Sequence, residues 1–301
     1  MIRCGVIDAV EPKPKLSIAH QLHPRIFRDF LYVYPVISRR SHGLSIGINL
    51  NPDKACNFRC VYCQVDRVTP PKVAMLVLST LERELRQMIE LVESGALAGE
   101  YPFNTAMDLA TRINDIALSG DGEPTTAREF AQVVETVVRV KHETRLHDAK
   151  LVLITDCAGL DRRDVQAGLR LMDENNGEVW AKLDAGTEPY YRQVNRTSVF
   201  FSRILKNLAL TASLRPIVIQ SLFMRLHGEP PPTGEIEAYC DRLNDIIRGE
   251  GKIKLVQLYT IARKPLEDWV EPLSDDELDI IGELIQRRTS IPVEKFYGAK
   301  L

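Results

Sequence analysis

Three cysteines lie within eight residues, in the stretch Cys56-Asn57-Phe58-Arg59-Cys60-Val61-Tyr62-Cys63, which follows an apolar run at 44–50. Thiolates at such short spacing can converge on one soft metal ion or one iron–sulfur cluster, because a loop that folds back brings the sulfurs inward. Structural zinc sites and electron-transfer clusters usually have four protein ligands. Three thiols leave one coordination position for a molecule that is not protein. The spacing therefore predicts a catalytic metal site rather than a structural one.

A second motif, Ser119-Gly120-Asp121-Gly122-Glu123-Pro124-Thr125, follows another apolar run at 113–118. Its two glycines allow the backbone to approach a ligand closely. Glu123 adds a carboxylate that can hold an ammonium group, and Pro124 restricts the turn. Many glycine-rich loops only begin the next helix, so this motif alone is a weak signal. Its coexistence with the cysteine stretch favours a ligand-binding role.

Apolar strands alternate with amphipathic helices along the chain. The predicted strands are 44–50, 113–118, 151–154, 179–183, 217–223 and 252–259. Two helices begin with the Ser/Thr-x-x-Glu pattern of a capping box, at Ser79 with Glu82 and at Ser274 with Glu277. Six strand–helix units of this kind predict an α/β fold with a parallel sheet covered by helices.

Polar residues concentrate just after the predicted strands, where parallel sheets usually carry their active sites. Both motifs above lie there, and so do Thr155-Asp156-Cys157, residues 184–188 and residues 260–263. Lys182 and Asp184 alternate along a strand, so both are expected to point inward. A charged pair in the interior needs a ligand or mutual pairing to offset its desolvation.

Composition excludes some classes of protein. The 301 residues contain 39 basic and 41 acidic side chains, which argues mildly against a nucleic-acid-binding protein. No apolar segment approaches the length that a membrane crossing needs, and the first residues lack the pattern of a secretion signal. Six cysteines, three of them clustered, fit a reducing compartment. We expect a cytoplasmic protein that does not bind a membrane.

The two motifs resemble those of the radical S-adenosylmethionine (SAM) superfamily. The superfamily's Cys-x3-Cys-x-aromatic-Cys loop matches Cys56, Cys60, Tyr62 and Cys63, and its glycine–glutamate motif matches residues 120–123. The resemblance implies a partial (β/α)6 TIM-type barrel of parallel strands with helices outside. This barrel would cover residues 44–301, and residues 1–43 would form an N-terminal extension that packs on it.

The resemblance also implies cofactors and roles. A [4Fe-4S] cluster would be held by Cys56, Cys60 and Cys63, and SAM would complete the coordination of the open iron. The residues implied to bind SAM are Tyr62, Ser119, Gly120, Asp121, Gly122, Glu123 and Asp184. Reductive cleavage of SAM would give a 5′-deoxyadenosyl radical that abstracts hydrogen from a small-molecule or RNA substrate. An electron donor such as flavodoxin or ferredoxin would be a partner.

Other segments, among them 35–40, 182–186 and 256–260, resemble the branch that contains wyosine-forming tRNA enzymes and uncharacterised iron–sulfur oxidoreductases. The wyosine enzymes are expected to hold a second cluster with cysteines upstream of the main loop, whereas here only Cys4 precedes it. This departure weakens the assignment of wyosine synthesis.

Several residues have more than one interpretation. The candidates for a catalytic role are Cys157, Lys182 and Asp184, although a cysteine near a strand end is more often a small buried residue. Arg39 and Arg40 either approach an anionic ligand or are solvated. A surface with Tyr190, Arg192, Arg196 and Arg203 either contacts RNA or faces solvent. The rival function is a non-catalytic protein that holds zinc or iron with the three thiolates and a histidine such as His42.

Overall fold

The structure is a computed structural model that describes residues 17–22 and 25–298. Its strands are Val33–Ser38 (β1), Gly43–Ile48 (β2), Ile113–Leu118 (β3), Lys150–Thr155 (β4), Gly177–Lys182 (β5), Ile217–Leu222 (β6), Met224–Leu226 (β7), Ile253–Tyr259 (β8), Val270–Pro272 (β9) and Val293–Phe296 (β10). Its α-helices are Ile18–Gln21 (α1), Leu78–Glu93 (α2), Phe130–Glu143 (α3), Arg163–Asp173 (α4), Glu188–Asn195 (α5), Phe201–Leu214 (α6), Thr233–Arg248 (α7) and Asp275–Thr289 (α8). Short 3₁₀ helices occupy Leu97–Gly99, Phe103–Leu109 and Pro124–Thr126.

Eight strands form one curled sheet in the order β1-β2-β3-β4-β5-β6-β8-β10. From β2 to β10 every neighbouring pair is parallel, and β1 alone pairs antiparallel, with β2. Strands β7 and β9 form a separate antiparallel ribbon. The architecture confirms the predicted partial TIM-type barrel, because the sheet carries its helices on the outer face.

Side chains alternate between the two faces of each strand. The outward residues, among them Ile46, Ile116 and Leu153, join the large core beneath the helices. The inward residues form a smaller apolar cluster of Ala117, Val152, Trp180 and Val218. Because both faces are buried, these strands are apolar almost throughout, and this pattern made them recognisable in the sequence.

The edges of the sheet differ from the sequence prediction. Strand β1 lies within the segment that was predicted as an extension, and it contains Pro35. An edge strand tolerates proline, because the missing N–H is needed only where a second neighbour pairs with the strand. At the other edge, β10 adds a seventh parallel strand beyond the six predicted. The boundary of a separate extension at residue 43 stays a prediction.

The two predicted capping boxes have different outcomes. At α8 the box is present, because Ser274 accepts a hydrogen bond from the Glu277 amide and Glu277 accepts one from the Ser274 amide. At α2 the prediction was wrong, because the helix begins at Leu78. Glu82 instead binds Arg86 and Arg139 on the helix surface. Within 17–22 and 25–298, no helix has both the length and the apolar composition that a membrane crossing requires.

Candidate functional site

A cavity of about 310 Å³ opens at the carboxyl ends of the parallel strands and continues into the half-barrel. Both predicted motif loops contribute to its wall. The loop after β2, here called the cysteine loop (residues 55–63), supplies Tyr62 and Cys63. The loop after β3, here called the glycine loop (residues 119–125), supplies Ser119, Gly120 and Gly122. The structure therefore brings the two motifs together at one rim.

The glycines of the glycine loop are required by contact with protein. A Cβ atom at Gly122 would lie 1.9 Å from the carbonyl oxygen of Ala55, and one at Gly120 would lie 2.4 Å from Oδ1 of Asn49. The amide of Glu123 donates a hydrogen bond of 3.1 Å to the same Ala55 carbonyl. Glycine at these positions therefore lets the two loops dock on each other, a role that the sequence pattern did not reveal.

Glu123 is buried and is fully engaged by protein donors. Its Oε1 accepts hydrogen bonds from the Thr125 amide (3.1 Å), the Thr125 hydroxyl (2.6 Å) and the Thr155 hydroxyl (2.7 Å). Its Oε2 accepts one from the Asp156 amide (2.7 Å). As it lies, Glu123 ties the glycine loop to the end of β4 and does not line the cavity. Its contact with a ligand ammonium group stays a prediction.

The carboxyl of Asp156 lies beside that of Glu123. Burial raises the pKa of Asp156 well above its ordinary value, and the neighbouring Glu123 carboxylate raises it further. Burial also raises the pKa of Glu123, despite the hydrogen bonds that favour its charged form. Two adjacent buried carboxyls do not both ionise readily, so this pair retains a proton more strongly than either group alone would.

Asp184 joins four separate segments. Its Oδ1 accepts hydrogen bonds from Nζ of Lys182 and from the Leu222 amide, both at 2.9 Å. Its Oδ2 accepts one from Oη of Tyr62 at 2.5 Å and a longer one from Nδ2 of Asn195 at 3.4 Å. The inward pair predicted at Lys182 and Asp184 thus exists and satisfies itself, and it also fixes the aromatic ring of the cysteine loop.

Lys182 remains a cation in this environment. Burial acts to lower its pKa, but the neighbouring Asp184 carboxylate and Tyr259 outweigh burial and raise it. The ammonium group donates to Oη of Tyr259 at 2.6 Å and lies 5.0 Å from the centroid of the Tyr62 ring. The ammonium group of the Lys182–Asp184 ion pair therefore lies at the cavity wall.

The three thiols of the cysteine loop are free and half-buried. Burial raises the pKa of Cys56 to about 11 and that of Cys60 to about 12. Nδ2 of Asn195 donates to Sγ of Cys60 at 3.3 Å, and the Cys63 amide donates to the Cys60 carbonyl at 2.9 Å. The hydrogen-bonded turn and the exposure of Cys63 to the cavity suit an iron–sulfur cluster, since soft thiolates are its usual ligands. In the described part of the chain, no three His, Cys, Asp or Glu side chains already form a group that could hold a metal ion.

Two other predicted participants lie away from the cavity. Cys157 is fully buried, and its Sγ lies 3.6 Å from the Thr155 carbonyl and 3.7 Å from the Lys182 carbonyl. Its role as a hydrogen donor stays a prediction, which this position does not favour. His42 precedes β2, whereas the cysteine loop follows it, and it pairs with Glu294 at 2.8 Å. A six-residue strand spans roughly 20 Å, so His42 lies too far from the loop to share a metal ion with the thiols.

The structure adds residues that the sequence analysis did not single out for the site. Arg25 binds Asp121 of the glycine loop at 3.0 Å, although nothing in its sequence surroundings indicates this. Gln220, Tyr259 and Arg263 also line the cavity. Of these, Arg263 belongs to the polar run after the predicted sixth strand, and this position was the available signal.

Comparisons with known proteins agree on one group of relatives. No protein-family model matches this chain. It is 30% identical to the UPF0026 protein MJ1312 of Methanocaldococcus jannaschii over 162 residues, which are 54% of this chain and 43% of that protein. It is 27% identical to a UPF0026 protein of Helicobacter pylori strain J99, over 81% of this chain and 70% of that one.

One relative is much longer than this chain. The chain is 22% identical to a protein named GTPase Obg of Brachyspira hyodysenteriae, over 86% of this chain and 34% of that protein. The chain thus spans about a third of this relative and less than half of MJ1312. The sequence contains no Gly-x4-Gly-Lys-Ser/Thr phosphate-binding motif.

Among solved structures, the fold is similar to that of TYW1 with a lysine–pyruvate adduct bound. The TM-score is 0.54 at 18% identity, and the match covers 82% of this chain and 74% of that one. This likeness supports the partial barrel independently of the motifs.

Proposed function

We propose that this chain, a member of the radical SAM superfamily, is an enzyme that cleaves SAM reductively at a [4Fe-4S] cluster to abstract hydrogen from a substrate in the half-barrel. The observation that carries the proposal is the docking of the cysteine loop and the glycine loop on each other at the mouth of one cavity. The likeness of the fold to that of TYW1 supports the partial barrel that the proposal requires.

Cys56, Cys60 and Cys63 would hold the cluster, and SAM would complete its coordination. When bound, these groups supply electron transfer and a carbon-centred radical, which protein side chains cannot provide. An external one-electron donor of the flavodoxin or ferredoxin type is part of the proposal.

The protein contributes position and exclusion of water. Asp184 holds Tyr62 by a hydrogen bond of 2.5 Å, so the ring stays at the wall where the adenine side of SAM is proposed to lie. Ser119, Gly120 and Gly122 present the glycine-loop backbone to the same cavity. Lys182, paired with Asp184, lines the same cavity. Such placement keeps a reactive species away from solvent and close to a substrate.

Anaerobic reconstitution with iron and sulfide, followed by SAM and a strong reductant, tests the proposal. We expect about four irons per chain and formation of 5′-deoxyadenosine. Cys60→Ala is expected to lose both the cluster absorbance and the product. Cys240→Ala is the matched control, because Cys240 is a cysteine of the α7 core outside the loop. A cluster-loaded wild-type protein that forms no 5′-deoxyadenosine would contradict the proposal, and so would a zinc-only protein.

Modification of tRNA is a second candidate, which the resemblance of segments 35–40, 182–186 and 256–260 to wyosine-forming tRNA enzymes favours. The arginines that were considered for an RNA surface are each paired with a carboxylate: Arg192 with Glu188, Arg196 with Glu267 and Arg203 with Asp161. Such pairing reduces their availability for phosphates. Binding of tRNA that weakens steeply with added salt would favour this candidate.

A further inference from the structure

The cavity wall is strongly cationic, although the whole chain has a formal net charge of −2. Its lining includes five Arg and Lys side chains: Arg25, Arg39, Arg40, Lys182 and Arg263. Of the described residues, no Asp or Glu belongs to that lining. The positive charge is therefore a local property of the cavity.

Two of the five cations are each paired with a carboxylate that does not itself line the cavity. Arg25 pairs with Asp121 at 3.0 Å, and Lys182 pairs with Asp184 at 2.9 Å. The other three, here called the cavity arginines (Arg39, Arg40 and Arg263), form no ion pair with any residue of 17–22 or 25–298.

The hydrogen-bond acceptors of Arg39 and Arg40 are neutral. Arg39 donates to the carbonyl oxygen of Tyr297. Arg40 donates to Oε1 of Gln220 at 3.4 Å, and its guanidinium lies 4.9 Å from the centroid of the Tyr259 ring. These contacts orient the guanidinium groups without cancelling their charge.

The cavity arginines also repel one another. Burial, followed by the charge of Arg40, lowers the pKa of Arg39 to about 10. Burial, followed by Arg40, Arg25 and Arg39, lowers the pKa of Arg263 to about 10. The buried carboxyl of Asp115 interacts electrostatically with Arg40 but forms no ion pair with it, and its Oδ1 accepts a hydrogen bond of 2.5 Å from Ser45. Three like charges gathered in a half-buried site cost free energy, and a bound anion would offset that cost.

We propose that the substrate carries a dianionic oxygen group, either a phosphate monoester or a dicarboxylate, and that Arg39, Arg40 and Arg263 bind it. The proposal rests on the proposed function, because the same cavity would hold the substrate beside SAM. A guanidinium group donates two parallel hydrogen bonds to phosphate or carboxylate, and three of them match more than one negative charge.

The rest of the cavity fits an organic substrate of small size. The whole cavity, which would also hold SAM, has a volume of about 310 Å³, at the lower end of the range for small-molecule sites, so the substrate must be small. Ile154, Trp180 and Leu222 give the wall an apolar part that can contact a carbon skeleton. Because the arginines line an internal cavity, an isolated dianionic group is a better fit than the backbone of a folded RNA.

Thermal unfolding of the cluster-reconstituted protein tests the proposal. Inorganic phosphate, succinate and acetate are added separately at constant ionic strength, because a ligand that binds only the folded state raises the Tm in proportion to ln(1 + [L]/Kd). We expect phosphate or succinate to raise the Tm clearly more than acetate does. A larger effect of phosphate identifies a phosphate monoester, and a larger effect of succinate identifies a dicarboxylate.

Variants assign the effect to the cavity. Arg40→Gln and Arg263→Gln are expected to weaken dianion binding about tenfold or more, since each removes a charge-assisted contact. Arg40→Lys keeps a positive charge and is expected to retain part of the binding, which separates loss of charge from misfolding. Arg128→Gln is the matched control, because Arg128 is exposed and lies outside the cavity lining.

The outcomes separate this proposal from the proposed function. It is overturned if neither dianion exceeds acetate, if Arg263→Gln shows the wild-type shift, or if saturating SAM abolishes the shift, since the arginines would then serve the SAM carboxylate. Additive shifts with SAM support it. Formation of 5′-deoxyadenosine without dianion binding contradicts only the dianionic substrate. Dianion binding without 5′-deoxyadenosine contradicts only the proposed reaction.

Discussion

Two parts of the cavity wall use charge in opposite ways. Asp184 and Glu123, here called the rim scaffold, are buried carboxyls whose oxygens are engaged by protein donors from several segments. The cavity arginines are basic groups that meet only neutral partners among the described residues. The rim scaffold holds the loops in place. The cavity arginines are not paired with a carboxylate, so their guanidinium groups can still bind an anion.

The comparison distinguishes charged side chains that stabilise the fold from charged side chains that can bind a ligand. A charged side chain that is satisfied by its own protein stabilises a geometry, because its removal leaves partners buried and unpaired. A charged side chain that lies near like charges is stabilised more by a bound ligand of opposite charge than by its contacts within the protein. The conspicuous motif residue Glu123 belongs to the first kind, and Arg263, which no motif contains, belongs to the second.

Removal of a rim-scaffold carboxylate is expected to have the largest effect. Asp184→Ala leaves the Lys182 ammonium group buried without its partner, so we expect the free energy of unfolding to fall by about 3–5 kcal/mol. Urea unfolding at constant m-value measures this. Asp268→Ala, at an exposed position, is the control and should stay within about 0.5 kcal/mol of wild type. A loss below about 1 kcal/mol for Asp184→Ala would remove the distinction drawn above.

The docking of the two loops predicts a smaller effect. Gly122→Ala places a Cβ atom against the Ala55 carbonyl, so we expect a loss of about 1–3 kcal/mol and a lower cluster content after reconstitution. Gly234→Ala is the matched control, because a Cβ atom there meets nothing within 4 Å, and in helix α7 it should be neutral or slightly stabilising. Equal effects at the two glycines would show that the loops do not depend on close contact.

Removal of a cavity arginine is expected to leave the free energy of unfolding unchanged or to raise it. In a buffer without polyvalent anions, Arg263→Gln relieves repulsion from Arg39 and Arg40, so its free energy of unfolding should equal that of wild type or exceed it by up to about 1 kcal/mol. Saturating phosphate or succinate should reverse the order. Arg139→Gln, which removes an arginine paired with Glu82, should lose stability in both buffers. Destabilisation of Arg263→Gln in both buffers would place this arginine with the scaffold.

The paired surface arginines predict the smallest effect, which depends on pH. Hydrogen bonds from Arg139 and Arg86 lower the pKa of Glu82 to about 2, from an ordinary value of 4.5. The stabilisation is therefore present above the ordinary pKa and is lost as the pH falls toward 2. Because the pair is exposed, we expect less than about 1 kcal/mol. Measured by urea unfolding, Glu82→Gln should be less stable than wild type at about pH 6, and the difference should shrink below the ordinary pKa of 4.5 and vanish only as the pH reaches about 2.

Local sequence determined the cysteine loop, the glycine loop and the six central parallel strands, because each depends on residue types at short spacing. The same local reading was wrong for the cap of α2 and did not predict the edge strand β1, since both depend on neighbours distant in the chain. It did not reveal that the glycines and Glu123 also contact Ala55, Thr155 and Asp156, and the contact of these residues with a ligand stays a prediction.

Tertiary structure alone decided which charges are satisfied. Asp184 meets Tyr62 and Leu222 because the sheet places the loops after β2 and β5 beside the end of β6. Arg40 comes near Arg263 because the curled sheet brings the segment after β1 against Tyr259 at the end of β8. Spacing along the chain cannot show whether a charged side chain has an oppositely charged partner from a distant segment. A side chain with such a partner stabilises the fold, and one without it is free to bind a ligand. For this protein, the sequence therefore predicts the kind of chemistry, and only the fold shows where the proposed anionic substrate would bind.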